Sequence, residues 1–164
     1  MIRTTIARWL IEHDVQTTAR CYAQVAAGSG CFCVDCRNFM AGGKQFFPAA
    51  FQTLAENLGI DLAKPAELCH YGRDVSTGLH ITGGFFHLVG SIVWGADVLE
   101  WTGASGSYQF ERMHPSFEFG FGSKSSLVRE PFLSNKVIQL DFMTQVPWVI
   151  ADSDSECPRR GRSN

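Results

Sequence analysis

The sequence predicts an α+β domain in which N-terminal helices pack on one face of a bent, mostly antiparallel β-sheet. Helical spacing of apolar residues is confined to the part of the chain before Ile60, whereas a two-residue alternation dominates from Glu67 to Trp148. The 164 residues suit one hydrophobic core, and 13 phenylalanines and four tryptophans favour strands and a well-filled interior. We therefore expect one domain over residues 1–150 and a polar, disordered tail at residues 151–164.

The N-terminal part is predicted to be helical. A short amphipathic helix is expected over Thr5–His13, ending at Asp14. Its apolar residues recur at helical spacing at Ile6, Trp9, Leu10 and His13. The pattern of Thr17–Ala26 fits both helix and strand, and a helix is favoured. Asp35 is placed to cap a further short helix that Gly42 ends.

The clearest helix spans residues 48–58. Pro48 suits its first turn, and Gly59 suits a left-handed position after its last residue. Ile60 can then fold back onto Leu54, as in a Schellman ending. The apolar face comprises Phe51, Leu54, Ala55 and Leu58.

Residues 67–148 are predicted to form the sheet. The expected strands are Glu67–Tyr71, Leu79–Thr82, Phe85–Trp94, Val98–Thr102, Tyr108–Arg112, Ser116–Phe121 and Val137–Val146. Gly83 and Gly84 indicate a bulge or sharp bend. The last strand alternates most cleanly, which predicts Leu140 in the core and Gln139 and Asp141 facing outward.

The cysteine loop at residues 31–39 carries the main candidate site, with Cys31, Cys33 and Cys36 in C-x-C-x-x-C spacing. Two thiolates at C-x-x-C spacing can bind one zinc ion, because a tight turn brings both sulfurs to about 2.3 Å from the metal. Cys31 can add a third ligand, and Cys69 is our candidate for the fourth. The other candidates are Cys21, His70 and Cys157. A second metal-binding knuckle is absent from the sequence, so simple packing of the cysteines and thiol redox chemistry stay open as alternatives.

Arg37, Asn38 and His87 are the candidate binding residues. Arg37 and Asn38 follow the cysteines directly and can pin the loop by hydrogen-bonding backbone carbonyls, or can grip a carboxylate or phosphate. The structural role is favoured. His87 and His80 lie on predicted strands and His114 lies between two of them, and a histidine in a strand is more often a packing residue than a catalyst.

Charge and hydropathy exclude several classes of protein. The net charge is −2, and no clustered Lys or Arg face indicates nucleic-acid binding. The N-terminus lacks the apolar run of a secretory signal. Val75–Ala96 lacks the apolar continuity of a membrane span. We expect a cytoplasmic protein whose cysteines stay reduced.

Further segments complete a pattern that begins with the cysteine loop. They are Phe47-Pro48, Leu58-Gly59-Ile60-Asp61, Gly83-Gly84-Phe85-Phe86-His87-Leu88-Val89-Gly90 and Pro147-Trp148-Val149. Together with Cys31–Phe39 they resemble a family of bacterial proteins of unassigned activity that carry C-x-C-x-x-C-[RK]-N-[FY]. The resemblance covers roughly residues 31–150. It implies a bacterial cytoplasmic protein and puts the three cysteines, Arg37 and Asn38 first for testing.

The sequence favours a non-enzymatic binding or interaction domain with a structural, candidate zinc-binding cysteine loop. An aromatic-rich sheet that two short helices cover only in part can offer a surface to a protein partner or to a second copy of the chain. The alternative is a thiol- or zinc-dependent enzyme that uses Cys31, Cys33 and Cys36. An enzyme site should lie at a cleft with an open coordination position, whereas a structural site should be closed by four ligands.

Overall fold

A computed structural model describes residues 1–27 and 31–152. In chain order the first elements are β1 (Ile2–Ile6), β2 (Trp9–His13), α1 (Val15–Gln24), α2 (Val34–Gly42), a 3₁₀ turn (Gly43–Phe46) and α3 (Ala49–Leu58). They are followed by β3 (Glu67–Arg73), β4 (His80–Trp94), β5 (Leu99–Thr102), β6 (Ser105–Tyr108), β7 (Glu111–His114), β8 (Phe117–Gly122) and β9 (Val137–Val146). Residues 153–164 of the predicted tail, and Gly28–Gly30, lie outside the described residues.

The predicted α+β class is confirmed. Seven strands form an antiparallel sheet in the order β1-β2-β4-β9-β8-β7, with β3 also paired to β4, and β5 and β6 form a separate hairpin. The long strand β4 organises the sheet. One of its edges pairs with β9, and the other pairs first with β3 and then, from Gly90 onward, with β2.

The helix predicted over Thr5–His13 is wrong, because this segment forms most of the β1–β2 hairpin. Trp9, Ile11 and His13 are buried and alternate with partly exposed residues, which is the two-residue period of a strand. The segment is so short that its apolar residues fit the spacing of a helix as well as the alternation of a strand. Asp14 does not end a helix but begins one, since its carboxylate accepts hydrogen bonds from the backbone N–H of Thr17 at 2.9 Å and from its hydroxyl at 2.8 Å.

The later helices agree better with the sequence. The favoured helix for Thr17–Ala26 is confirmed by α1, and α2 is present but is capped by Cys33, so that Asp35 lies inside its first turn. The ending of α3 is confirmed. Gly59 is left-handed with φ of 74°, and Ile60 N–H donates to the carbonyl of Ala55 at 2.9 Å, as the Schellman motif requires.

The bulge predicted at Gly83 and Gly84 is not found, because β4 keeps its register with both β3 and β9 through the two glycines. A close backbone approach requires the glycine at position 84. A Cβ there would lie 2.4 Å from the carbonyl oxygen of Glu67 on β3. The described register shifts of β3 and β2 lie between His70 and Gly72 and between Leu10 and Ile11.

Aromatic rings join the helices to the sheet. Phe39 of α2 and Phe51 of α3 both lie against Phe142 of β9, with ring centroids 5.9 and 6.5 Å apart. The prediction that Gln139 and Asp141 face solvent is wrong, since both are buried. The segment after β8 accounts for part of this cover, because Ser126 N–H donates to Gln139 Oε1 at 3.0 Å.

Candidate metal centre and adjoining cavity

The N-terminus of α2 brings the three predicted cysteines together. Cys33 is the N-cap residue, Cys36 lies three residues on in the first turn, and Cys31 precedes the cap. The sulfur atoms of the three side chains all lie within 4.8 Å of one another. Tetrahedral thiolates at Zn–S distances of about 2.3 Å are separated by roughly 3.8 Å, so this cluster could hold a metal ion after small side-chain movements.

Local backbone geometry explains the convergence. Cys33 is extended, with ψ of 162°, and its carbonyl accepts a hydrogen bond from Arg37 N–H at 3.0 Å, which begins the helix. Residues three apart on a helix lie on the same side, so the thiols of Cys33 and Cys36 face a common point. The amide dipoles at a helix N-terminus also favour negative charge, such as metal-bound thiolates carry.

The cluster borders a cavity of about 620 Å³ that Cys31 and Cys36 help to line. The remaining wall residues come from both sides of the cysteine loop and from the segments around residues 65 and 130, and include Tyr22, Phe32, Met40, Lys64, Arg129 and Phe132. The wall therefore combines apolar and charged groups. Cys31 is exposed and Cys36 is buried, so the cluster extends from the surface into the protein.

Cys69, the candidate fourth ligand, does not join the three thiols within this distance. It lies on β3 and lines a smaller cavity of about 140 Å³ together with Asp141 and Tyr108. Burial raises the pKa of its thiol, and Glu67 adds to the shift. His70, its neighbour, points to α2 instead. The arrangement therefore does not support Cys69 as a ligand of the same ion.

Arg37 and Asn38 hold the segment that follows β9. The Asn38 side chain is buried, donates to the carbonyl of Pro147 at 3.1 Å and accepts from Val149 N–H at 2.7 Å. Arg37 Nη1 lies 2.7 Å from Asp152 Oδ2, and both side chains are about half exposed, with values of 52%. The structural role favoured from the sequence is what Asn38 performs, whereas Arg37 also lines the large cavity.

His87, the third candidate binding residue, is a buried member of the cavity wall. Its Nε2 lies 2.8 Å from the carbonyl oxygen of Ser126, so Nε2 carries a proton and donates it. Burial lowers the pKa of His87 below its ordinary value, although the bond to Ser126 opposes the shift. His87 therefore favours the neutral form and helps to fix the segment that closes this side of the cavity.

A second cluster, Asp35, His70 and His80, was not predicted. One ligand atom from each residue lies within 4.8 Å of the others. His70 Nε2 is 3.1 Å from His80 Nδ1, and His70 Nδ1 is 3.6 Å from Asp35 Oδ1. From the sequence alone, Asp35 is expected at a helix cap, His70 only as an alternative ligand for the cysteine cluster, and His80 as a packing residue.

The pairing of β3 with β4 explains why this cluster was missed. His70 pairs with Thr82, which lies two residues from His80 on β4, so His70 and His80 share one face of the sheet. Alternation within each strand does not tell which residues of two strands pair, so it did not bring the two histidines together. The short connection between the predicted strands Glu67–Tyr71 and Leu79–Thr82 was the available signal, because it favours a hairpin.

Comparison of the chain with protein-family models, with curated proteins and with solved structures finds no match in any of the three. No helix among the described residues is long and apolar enough to cross a membrane. The resemblance to the bacterial family stays a prediction. The fold and the site define an α+β domain with a three-cysteine cluster that could hold a metal ion.

Proposed function

We propose that the chain is a zinc-dependent, non-enzymatic binding domain of the bacterial cytoplasm. In this proposal Cys31, Cys33 and Cys36 hold a zinc ion, which fixes the loop that borders the large cavity, and the rim of the cavity receives a protein partner. One observation carries the proposal: the three thiols converge at the start of α2, and two of them line the cavity.

The donor set favours zinc. Thiolates are soft ligands that select zinc among the abundant divalent ions, and three of them satisfy most of a tetrahedral shell. No disulfide joins the cysteines of the described residues, so their side chains are thiols. A reducing cytoplasm keeps thiols in the form that binds metal. The fourth ligand in this proposal is Cys157, which lies outside the described residues, or a group of the partner.

The rim of the cavity supports a protein partner. Phe32 stands between two of the proposed zinc ligands, lines the cavity and is 87% exposed. Leu127, which also lines the cavity, is 48% exposed. Exposed apolar side chains beside a concave surface are typical of interaction sites, where one or two anchors contribute most of the binding free energy. Arg129 and Glu130 supply polar groups to the same cavity.

The proposal is tested by metal analysis of protein purified without chelator, together with a count of reactive thiols under native conditions. We expect thiolate-bound zinc in each chain, with Cys31, Cys33 and Cys36 protected from a thiol reagent until a chelator removes the metal. Cys36→Ser should abolish this thiolate-bound zinc. Cys69→Ser is the matched control, because Cys69 is a partly buried thiol that lies outside the cluster, and the variant should retain the ion.

Cobalt substitution identifies the ligands directly, since sulfur-to-cobalt charge transfer gives an absorption band that nitrogen and oxygen ligands do not. Loss of this band in Cys36→Ser but not in Cys69→Ser would support the proposal. Metal-free protein with three freely reacting thiols in the loop would contradict it and leave cysteine packing as the explanation of the motif.

A zinc- or thiol-dependent enzyme is the second candidate, and the position of the cluster at a cavity favours it. A catalytic zinc site has three protein ligands and one open position for water or substrate. The cysteine cluster fits this description, because among the described residues no fourth Cys, His, Asp or Glu joins the three cysteines. A small exogenous ligand such as azide separates the two functions. It should change the cobalt spectrum if the fourth position is open to the cavity, and should leave it unchanged if a protein ligand closes the shell.

A further inference from the structure

We propose that Asp35, His70 and His80 form a second, independent site for a divalent first-row transition-metal ion. The site lies between the first turn of α2 and the β3–β4 pair. It is distinct in donor chemistry from the cysteine cluster and does not depend on whether that cluster binds zinc.

The spacing of the two imidazoles fits one shared ion. His70 Nε2 and His80 Nδ1 lie 3.1 Å apart. Two nitrogen ligands at metal distances of about 2.0–2.1 Å are separated by roughly 2.9–3.4 Å in octahedral or tetrahedral geometry. Ring positions are also restrained, since His80 is buried and lies against the indole of Trp148 with centroids 4.9 Å apart.

Asp35 supplies the observation that points to a ligand. Its side chain is only 6% exposed, and neither carboxylate oxygen has a hydrogen-bond partner. His70 Nδ1, which lies 3.6 Å from Asp35 Oδ1, is too far for a hydrogen bond. A buried carboxylate without partners is costly unless a cation compensates it. A metal ion bound by the two imidazoles would provide this compensation.

The donor set defines the class of metal. Two imidazole nitrogens and one carboxylate oxygen bind Zn²⁺ or Fe²⁺ and leave positions open for water or another ligand. The negative charge of Asp35 lies in the first turn of α2, where the helix dipole favours it. The His70 side chain is 16% exposed, which gives an ion a route to the site from solvent.

The test uses the full chain, with Zn²⁺ as the probe, and measures bound metal by equilibrium dialysis and mass spectrometry. The variant in which Cys31, Cys33 and Cys36 are all replaced by serine should still bind one Zn²⁺. Its Co²⁺ complex should lack the sulfur charge-transfer band. In the wild-type background, Asp35→Asn and His80→Gln should weaken binding of this ion at least about 100-fold. Both should retain the thiolate–cobalt band.

His114→Gln is the matched control, because His114 is an exposed histidine of β7 whose Nδ1 lies 3.0 Å from the hydroxyl oxygen of Ser116. It should leave Zn²⁺ binding unchanged. The proposal is overturned if Asp35→Asn binds Zn²⁺ as the wild type does, which would make the cluster a hydrogen-bonded packing group. Failure of the zinc–cysteine proposal gives a different result, namely a wild-type chain whose metal is lost in Asp35→Asn but kept in Cys36→Ser.

If the triple serine variant does not fold, the single substitutions in the wild-type background test the proposal by themselves. A fall of one Zn²⁺ per chain in His80→Gln, with none in His114→Gln, supports the second site. Equal metal content in the wild type, Asp35→Asn and His80→Gln overturns it.

Discussion

The hydroxyl of Tyr22 bonds both backbone groups of His87, donating to its carbonyl at 2.8 Å and accepting from its N–H at 3.1 Å. These groups lie on the edge of β4 between the end of β3 pairing at Phe85 and the start of β2 pairing at Gly90. Helix α1 thus takes the place of a strand over this gap. Thr18 contributes in the same way, since its hydroxyl accepts from Val89 N–H at 3.0 Å.

Replacement of Tyr22 by phenylalanine should therefore destabilise the fold. The change removes one oxygen atom and leaves a buried N–H and a buried carbonyl without partners, which costs about 1–3 kcal/mol. Burial also raises the pKa of the Tyr22 hydroxyl, so it remains a donor over the whole range in which the protein is handled. Urea unfolding measures the loss.

Tyr108→Phe is the control for this prediction, because the side chain of Tyr108 is 49% exposed. It should change the free energy of unfolding by less than about 0.5 kcal/mol. Equal effects of the two substitutions would show that the Tyr22 hydroxyl does not support the strand edge.

Asn38→Ala should loosen the segment after β9. The amide of Asn38 satisfies the carbonyl of Pro147 and the N–H of Val149, and both would lose a buried partner. We expect a loss of about 2–3 kcal/mol in urea unfolding and faster proteolysis near Trp148. Asn57→Ala, at an exposed position of α3, should be neutral or slightly stabilising because alanine is the better helix former. Unchanged proteolysis in Asn38→Ala would contradict the assigned role.

Much of the fold could be predicted where a structural element depends only on residues that are close together in the sequence. The end of α3 at Gly59 is an example, because a left-handed glycine after the last helical residue can be recognised in the sequence alone. The β1–β2 hairpin could not be separated from a helix, since five residues per strand give too few periods to distinguish the two.

The two candidate sites differ in the same way, because one is formed by residues close together in the sequence and the other is not. The cysteine cluster was predictable because one loop and one helical turn hold all three thiols. The Asp35–His70–His80 cluster depends on the register of β3 against β4 and on the packing of α2 against β3, and both are tertiary features. The burial of Asp141 was missed for a similar reason, because residues remote in sequence line the cavity beside it.

Gly84→Ala tests the close approach of β3 to β4. The added methyl group would lie 2.4 Å from the Glu67 carbonyl oxygen and 3.0 Å from a ring carbon of Phe142. Backbone must move to admit it, so we expect a loss of about 1–3 kcal/mol or more in thermal or urea unfolding. Gly122→Ala on β8 is the control, since the nearest atom to a Cβ there is 3.8 Å away. A neutral Gly84→Ala would show that the strands can separate at little cost.

Asp141 should make the stability of the protein depend on pH. Burial raises the pKa of its carboxyl from 3.8 to about 6, although the hydrogen bond from Gln139 Nε2, at 2.8 Å, opposes the shift. Between these two values the folded chain holds a proton that the unfolded chain has lost. The contribution of Asp141 to the free energy of unfolding is therefore highest below pH 3.8. It falls as the pH rises from 3.8 to about 6, and it is constant above that pH.

Asp141→Asn removes this dependence and keeps an acceptor for Gln139. At about 1.4 kcal/mol per pKa unit, the wild type should lose up to roughly 3 kcal/mol relative to the variant between pH 4 and pH 7. Urea unfolding of both proteins at several pH values measures the difference, in which effects of metal binding common to both cancel. Glu100→Gln, at an exposed position of β5, should follow the wild-type curve. Parallel curves for Asp141→Asn and the wild type would mean that the carboxylate is stabilised where it lies, and that the cavity it shares with Cys69 and Tyr108 admits water.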